Sequence, residues 1–337
     1  MKPTFHHRLV NNSFEDPCVY VRVLREKRAF LFDLGFINRL SPSDIQKVTD
    51  VFVTHTHIDH FIGFDIMLRA LLRRETPLKI FGPANIIECV EGKLNGYTWN
   101  LIQEYPLRIE VFGIEEGFIR HAGFYAENCF RRKDYEKISF DGIVLKEPPF
   151  EIKAVCLKHQ IPSLGFSLKE DFHINIDKAA LGGMGLPVGQ WLSEFKKAVR
   201  ENASVKTEFK ILGRKYSMKE LEGIAKITRG QKVSYISDSS IDEANIKKII
   251  AFVKDSDTLY CEAYFLEEDR ERAVERHHLT AKTAGRIARE AGVKNLVVMH
   301  FSPKYREFPD EPEKEAMMEY RQNKTAQTLY PDCFKNV

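Results

Sequence analysis

The chain has 337 residues, of which 43% are hydrophobic and 29% charged, and its net charge is +3. Those proportions exclude a disordered or fibrous chain and leave a soluble globular protein with a substantial core, as one large domain or two ordinary ones. The charges are well mixed, so the mild basic excess permits an anionic partner without demanding one.

In chain order, residues 20–24 and 29–33 flank the charged turn Arg25-Glu26-Lys27-Arg28 and predict a hairpin. A strand over 51–54 follows, then a helix over 64–72, a strand over 78–83 and a second helix over 86–94. This alternation predicts an α/β layered fold. Residues 106–158 are more strand-like, with 109–112 and 151–155 the best segments. Between them, 120–137 is charged and aromatic without a period, so Arg131-Arg132-Lys133 is expected in a solvated loop. Residues 169–219 change character. A glycine-rich stretch, 182–189, precedes an amphipathic helix over 191–200, and Arg214 and Lys215 are expected in a turn. This segment is expected to be an excursion from the core. Alternation resumes with a strand at 233–238, a helix at 244–252, a strand at 258–262, a helix at 281–291 and a strand at 295–300.

Six cysteines lie far apart without a Cys-x-x-Cys pair, which argues against a zinc ribbon and a disulfide framework and for thiols in a reducing compartment. The amino terminus carries no export-type apolar segment, and no stretch is apolar enough to span a bilayer. A cytoplasmic location is expected.

The chemistry concentrates in Thr54-His55-Thr56-His57-Ile58-Asp59-His60. Three of the eleven histidines and one aspartate fall within six positions, at the end of an apolar strand. Two imidazoles, then a carboxylate and a third imidazole, form a set that can hold borderline-soft divalent metals; the competing account is a polar loop rich in histidine. A two-metal site needs further ligands at strand ends, and His159, Asp238 and His300 each end an apolar strand, where α/β folds gather ligands. The expected assignment puts His55, His57 and His159 on one metal and Asp59, His60 and His300 on the other, with Asp238 bridging. Glu262 ends another strand and His278 precedes a helix. A glutamate bonded to that imidazole would raise its pKa and make it a proton donor. The catalytic groups expected are thus Asp59, Glu262 and His278. His277, His6, His7, His121 and His173 are expected at the surface.

These residues resemble the metallo-β-lactamase superfamily, and within it the ribonuclease Z branch, which removes 3′ trailers from precursor tRNA. The resemblance is carried by the first motif and by His159-Gln160-Ile161-Pro162-Ser163-Leu164-Gly165-Phe166, Ser237-Asp238-Ser239, Cys261-Glu262-Ala263-Tyr264-Phe265, His278-Leu279-Thr280-Ala281 and His300-Phe301-Ser302-Pro303-Lys304-Tyr305. It implies a four-layer αββα sandwich with an inserted arm-like segment at 169–219, and a homodimer; the carboxy-terminal extension at 306–337 is a departure from the family. The resemblance also implies a dinuclear phosphodiesterase, with two ions, zinc by default or manganese, activating hydroxide for attack on phosphorus. Lys196, Lys197, Arg200 and Lys304 would contact RNA. The chain departs from the family where a glycine-rich amino-terminal turn is replaced by Leu9-Val10-Asn11-Asn12-Ser13, and where the arm tip reads Leu186-Pro187-Val188-Gly189. Those departures keep a second reading open, a hydrolase of a small phosphodiester such as a cyclic nucleotide. A non-catalytic nucleic-acid-binding protein is a third, and it would need a broken ligand.

Overall fold

The computed structural model describes residues 4–24 and 26–322. Arg25, Cys333 and residues 323–337 of the 306–337 extension lie outside the described residues. The chain divides into two compact units.

The larger unit is built on two sheets. The first has nine strands and begins with Phe5–Leu9, Val19–Val23 and Arg28–Phe32, each antiparallel to the next. Arg28–Phe32, Val48–Phe52, Leu78–Pro83 and Arg108–Glu115 then run parallel in that order. Phe118–Tyr125 and Arg132–Asp134 return antiparallel. The second sheet has six strands, ending in the parallel series Lys232–Ile236, Thr258–Glu262 and Asn295–Met299.

Both sheets are apolar on two faces because each is covered on two faces. Between them, Phe32 stacks on Phe166 and Tyr235 at 6.0 and 5.6 Å. Outside the first sheet, Phe64, Met67, Leu68 and Leu71 of the helix Phe64–Leu71 and Ile86, Ile87 and Val90 of Ile86–Asn95 complete one core. Outside the second, Ile246 and Ile249 of Glu243–Val253 and Ala284 and Ile287 of Ala281–Glu290 complete another. Helix, sheet, sheet and helix make the four layers expected. The parallel strands all deliver their carboxy-terminal ends to one rim, which is where the chemistry gathers.

The smaller unit comprises Lys169–Gln231 with Glu147–Glu151 and Thr4. Phe172–Ile176 pairs antiparallel with Ala225–Arg229, and Glu208–Ile211 with Arg214–Ser217. Its own core holds Trp191, Phe195, Phe209, Leu221 and Ile224, packed by the amphipathic helix Trp191–Arg200. Arg214 and Lys215 therefore begin a strand rather than occupy a turn.

Two further expectations are corrected. The tripeptide Arg131-Arg132-Lys133 is not a solvated loop: Arg132 opens a strand, and its guanidinium reaches Glu88, Glu91 and Asp134. The missing alternation was misleading because every position of the neighbouring strand Phe118–Tyr125 is buried or half-buried. His173 is buried rather than exposed, with Nδ1 3.2 Å from Glu170 Oε1. That carboxylate also accepts from Thr4 and Arg200, so the polar face of the strand is internal. Among the described residues, no helix is long and apolar enough to cross a membrane, and Cys18, Cys89, Cys129, Cys156 and Cys261 are free thiols.

Candidate metal centre

Strand ends, and the turn and one-turn helix after one of them, place the expected ligands. The strand Val48–Phe52 ends two residues before the histidine motif, so His55 and His57 leave from a turn rather than from the strand itself. His57 caps the one-turn helix Ile58–Phe61, which points His60 inward while Ile58 stays 75% exposed. His159 follows the strand Phe150–Leu157, Asp238 follows Lys232–Ile236, and His300 follows Asn295–Met299. His300 and Asp33 both adopt left-handed backbone, at φ of 58° and 55°. Such conformations in residues other than glycine persist where the surroundings over-determine them, commonly at functional sites.

The seven side chains expected as ligands converge. His55, His57, His159 and Asp238 each offer one ligand atom within 4.8 Å of the others, and so do Asp59, His60 and His300. Asp238 faces both groups with different oxygens. Its Oδ2 lies 3.6 Å from His55 Nε2 and 3.8 Å from His159 Nε2. Its Oδ1 lies 3.4 Å from His60 Nε2 and 2.9 Å from His300 Nδ1. Asp59 Oδ2 completes the second group, 3.3 Å from His300 Nε2 and 3.5 Å from His60 Nε2.

The donor atoms fit a pair of divalent cations on three grounds. First, His60 Nε2, His159 Nε2 and His300 Nδ1 are buried and make no hydrogen bond. A buried polar atom without a partner costs roughly 1–3 kcal/mol, so three aimed at one carboxylate call for something to satisfy them. Second, the outer nitrogens are fixed. His159 Nδ1 donates to the His277 carbonyl at 2.9 Å, and His60 Nδ1 to Asp33 Oδ2 at 2.8 Å. His55 Nδ1 lies 3.0 Å from Thr54 Oγ1, which donates to Asp33 in turn. Binding the outer N–H leaves the inner nitrogen's lone pair for a metal. Third, the centre asks for positive charge. Burial pushes His55 down to about 2, assisted by its histidine neighbours, so it stays neutral. Burial alone would also lower His60 and His300, yet Asp33 and Asp238 lift His60 to about 10 and Asp238 holds His300 well above its usual range. Cations would supply that charge in place of protons.

Beside this set stands the pair expected for proton transfer. Glu262 is fully buried; its Oε2 accepts from His278 Nδ1 at 2.9 Å, and its Oε1 from the backbone N–H groups of Ser239 and Leu279 at 2.7 and 3.1 Å. Burial acts to lower the His278 pKa, and the Glu262 carboxylate overrides it and raises it. His278 Nδ1 is 3.6 Å from Asp238 Oδ2, which puts the pair at the edge of the ligand cluster.

The expected RNA contacts are placed differently. Lys196, Lys197 and Arg200 lie on the helix of the smaller unit, where Lys197 Nζ is 3.9 Å from Glu201 and Arg200 engages Glu170 at 3.4 Å. Lys304 binds both oxygens of Asp269. Sequence reasoning missed Asp33. It ends the apolar strand Arg28–Phe32, the same signal that found Asp238, and it accepts from Thr54, His60 and Tyr235.

Two facing sheets, their outer helices and a histidine–aspartate cluster on one rim define a metallo-β-lactamase-fold protein. A metallo-β-lactamase fold protein of Bacillus subtilis, YhfI, superposes with a TM-score of 0.54 at 15% identity, covering 95% of this chain and 94% of that one. No family model matches the chain. Among relatives, a ribonuclease Z of Nanoarchaeum equitans is 30% identical over 287 residues, spanning 82% of this chain and 76% of its own length. A ribonuclease Z of Deinococcus radiodurans is 27% identical over 282 residues, spanning 82% and 83%. The chain belongs to the ribonuclease Z family.

Proposed function

We propose that this chain is a metal-dependent endoribonuclease that removes 3′ trailers from precursor tRNA. The Glu262–His278 pair beside an unbroken set of seven ligand side chains, in a chain of this family, carries the reading. His55, His57 and His159 would hold one cation and Asp59, His60 and His300 the other, with Asp238 shared between them. A pair of divalent ions held there supplies acidified water at neutral pH and neutralises charge on the phosphate oxygens. Zinc suits this mixed nitrogen and oxygen set, and manganese is the alternative.

The remaining work belongs to the protein. His278, held at Nδ1 by Glu262, presents Nε2 and its proton to the departing 3′ oxygen as the P–O3′ bond breaks. The tRNA keeps a 3′ hydroxyl and the trailer a 5′ phosphate. Asp33 keeps His60 and, through Thr54, His55 in the orientation the ligand set requires. Lys196 and Lys197 would meet the RNA backbone as a salt-sensitive surface, with Arg200 and Lys304 steered by Glu170 and Asp269. A homodimer in the cytoplasm completes the reading.

The test offers purified protein a precursor tRNA bearing a 3′ trailer and, separately, bis(p-nitrophenyl) phosphate. Endonucleolytic removal of the trailer is expected; cleavage of the small ester alone would overturn the tRNA assignment.

A further inference from the structure

Glu262 secures His278 at one atom only. With Cγ bonded to Cβ, a single hydrogen bond from Nδ1 still leaves the ring able to tilt about the line through those two points, and Nε2 would sweep an arc as it did. A second constraint is present. The ring of Tyr264, two residues beyond Glu262, lies flat against the His278 imidazole, with centroids 4.1 Å apart and an interplanar angle of 13°. Other rings meet His278 edge-on or steeply: His159 at 61°, Phe265 at 69° and His300 at 70°. Tyr264 is itself held in place. Its carbonyl accepts from Ser302 N at 3.0 Å, and Ala263 N donates to Met299 O at 2.9 Å. Its side chain packs against the small cluster of Phe265, Ala273 and Tyr305.

We propose that Tyr264 is a positioning residue for the proton donor, its ring face fixing the plane of His278 and so the direction of Nε2. The inference rests on His278 being the donor. The Cβ–Cγ bond and the Nδ1 hydrogen bond fix two points of the ring and the stacked face fixes its plane; together they leave Nε2 a single direction. Proton delivery to a leaving oxygen needs that direction within hydrogen-bond reach, so a loose ring loses rate where the leaving group is poor. The phenol hydroxyl is not needed for this task, only the flat face.

The experiment measures single-turnover rates of the metal-loaded protein on precursor tRNA and on bis(p-nitrophenyl) phosphate, whose leaving group needs little protonation. Tyr264→Leu, which fills space without a plane, is expected to slow tRNA cleavage about tenfold, the scale of one aromatic stack, and to slow the activated ester far less. Tyr264→Phe keeps the face and is expected to recover most of the rate. Tyr264→Met replaces Tyr264→Leu should that variant not fold, and metal content with thermal unfolding is recorded for each. Equal slowing of both substrates by Tyr264→Leu, or a Phe variant as slow as the Leu variant, overturns the inference. His278→Ala is run beside them. If it slows both substrates equally, the proton-donor reading falls and takes this inference with it. If it is selective for tRNA while Tyr264→Leu is indifferent, only the inference about Tyr264 falls.

Discussion

Replacing Glu262 by glutamine changes one atom and removes one charge, and the surrounding hydrogen bonds fix how the new amide must sit. Oε1 accepts from two backbone N–H groups, of Ser239 and Leu279, so the amide oxygen of a glutamine must stay there. The amide nitrogen then faces His278 Nδ1, 2.9 Å from the atom it replaces. Two donors cannot share that contact, so Nδ1 must give up its proton and the imidazole is locked neutral with its hydrogen on Nε2. A neutral imidazole is a far weaker acid than imidazolium. The general-acid contribution, roughly 10²–10⁴-fold, should disappear from precursor tRNA cleavage. That corresponds to about 3–5 kcal/mol of barrier. Stability should fall little, because both backbone bonds survive. Glu262→Ala is the contrast: it strands two buried N–H groups, at roughly 1–3 kcal/mol each, and should lower the melting temperature as well. The assay compares single-turnover rates on precursor tRNA and bis(p-nitrophenyl) phosphate, with unfolding followed by circular dichroism. A Glu262→Gln protein that cleaves tRNA at the unaltered rate, or loses the same factor on both substrates, would refute the reasoning.

Asp238→Ala removes the carboxylate that faces both ligand groups, so bound metal and hydrolysis of both substrates should collapse while RNA still shifts in a gel; loss of RNA binding in step with catalysis would count against separate binding and chemistry. Stripping metal with a chelator leaves His60, His159 and His300 with unsatisfied nitrogens, so the melting temperature should drop. Restoring the ion at 100 times its Kd should return about 2.7 kcal/mol; a stripped protein that melts unchanged holds no resident cation. A third outcome concerns acid. Burial would raise the Glu110 pKa, but hydrogen bonds from His121 at 2.7 Å and Tyr125 at 2.9 Å more than offset it and hold it below its ordinary 4.5. A carboxyl depressed on folding stabilises the folded state above its unfolded pKa and loses that contribution as pH falls through the folded value. Glu110→Gln should therefore flatten the decline in stability below about pH 4.5, measured by urea unfolding; an unchanged acid limb would show the pair contributes nothing.

Much of the site was legible from chain order alone. A strand's last apolar residue followed by histidine, aspartate or glutamate marked His159, Asp238, Glu262 and His300, because parallel strands in a layered fold bring their carboxy-terminal ends to one rim. The helix Trp191–Arg200 matched its periodicity to the residue, since one face covers a small core of its own. What escaped depends on who faces whom. Asp33 carries the same strand-end signal as Asp238, but its value lies in accepting from Thr54, His60 and Tyr235 at once, the last from the opposite sheet. Tyr264 stood in the sequence only as one position of a motif, and only the chain path after Thr258–Glu262 lays its ring on His278. Likewise, Arg132 read as a solvated charge until the helix Ile86–Asn95 placed Glu88 and Glu91 within reach.

Local sequence singled out the candidate ligands, because donor chemistry is a property of side chains and strand ends are marked by hydrophobic pattern. The sequence already proposed two sets sharing Asp238, and only the tertiary structure decided how its two oxygens divide between them, Oδ2 toward His55 and His159 and Oδ1 toward His60 and His300. That division is a matter of angles between strands whose residues lie far apart in the chain, and no spacing along one strand encodes the orientation of another.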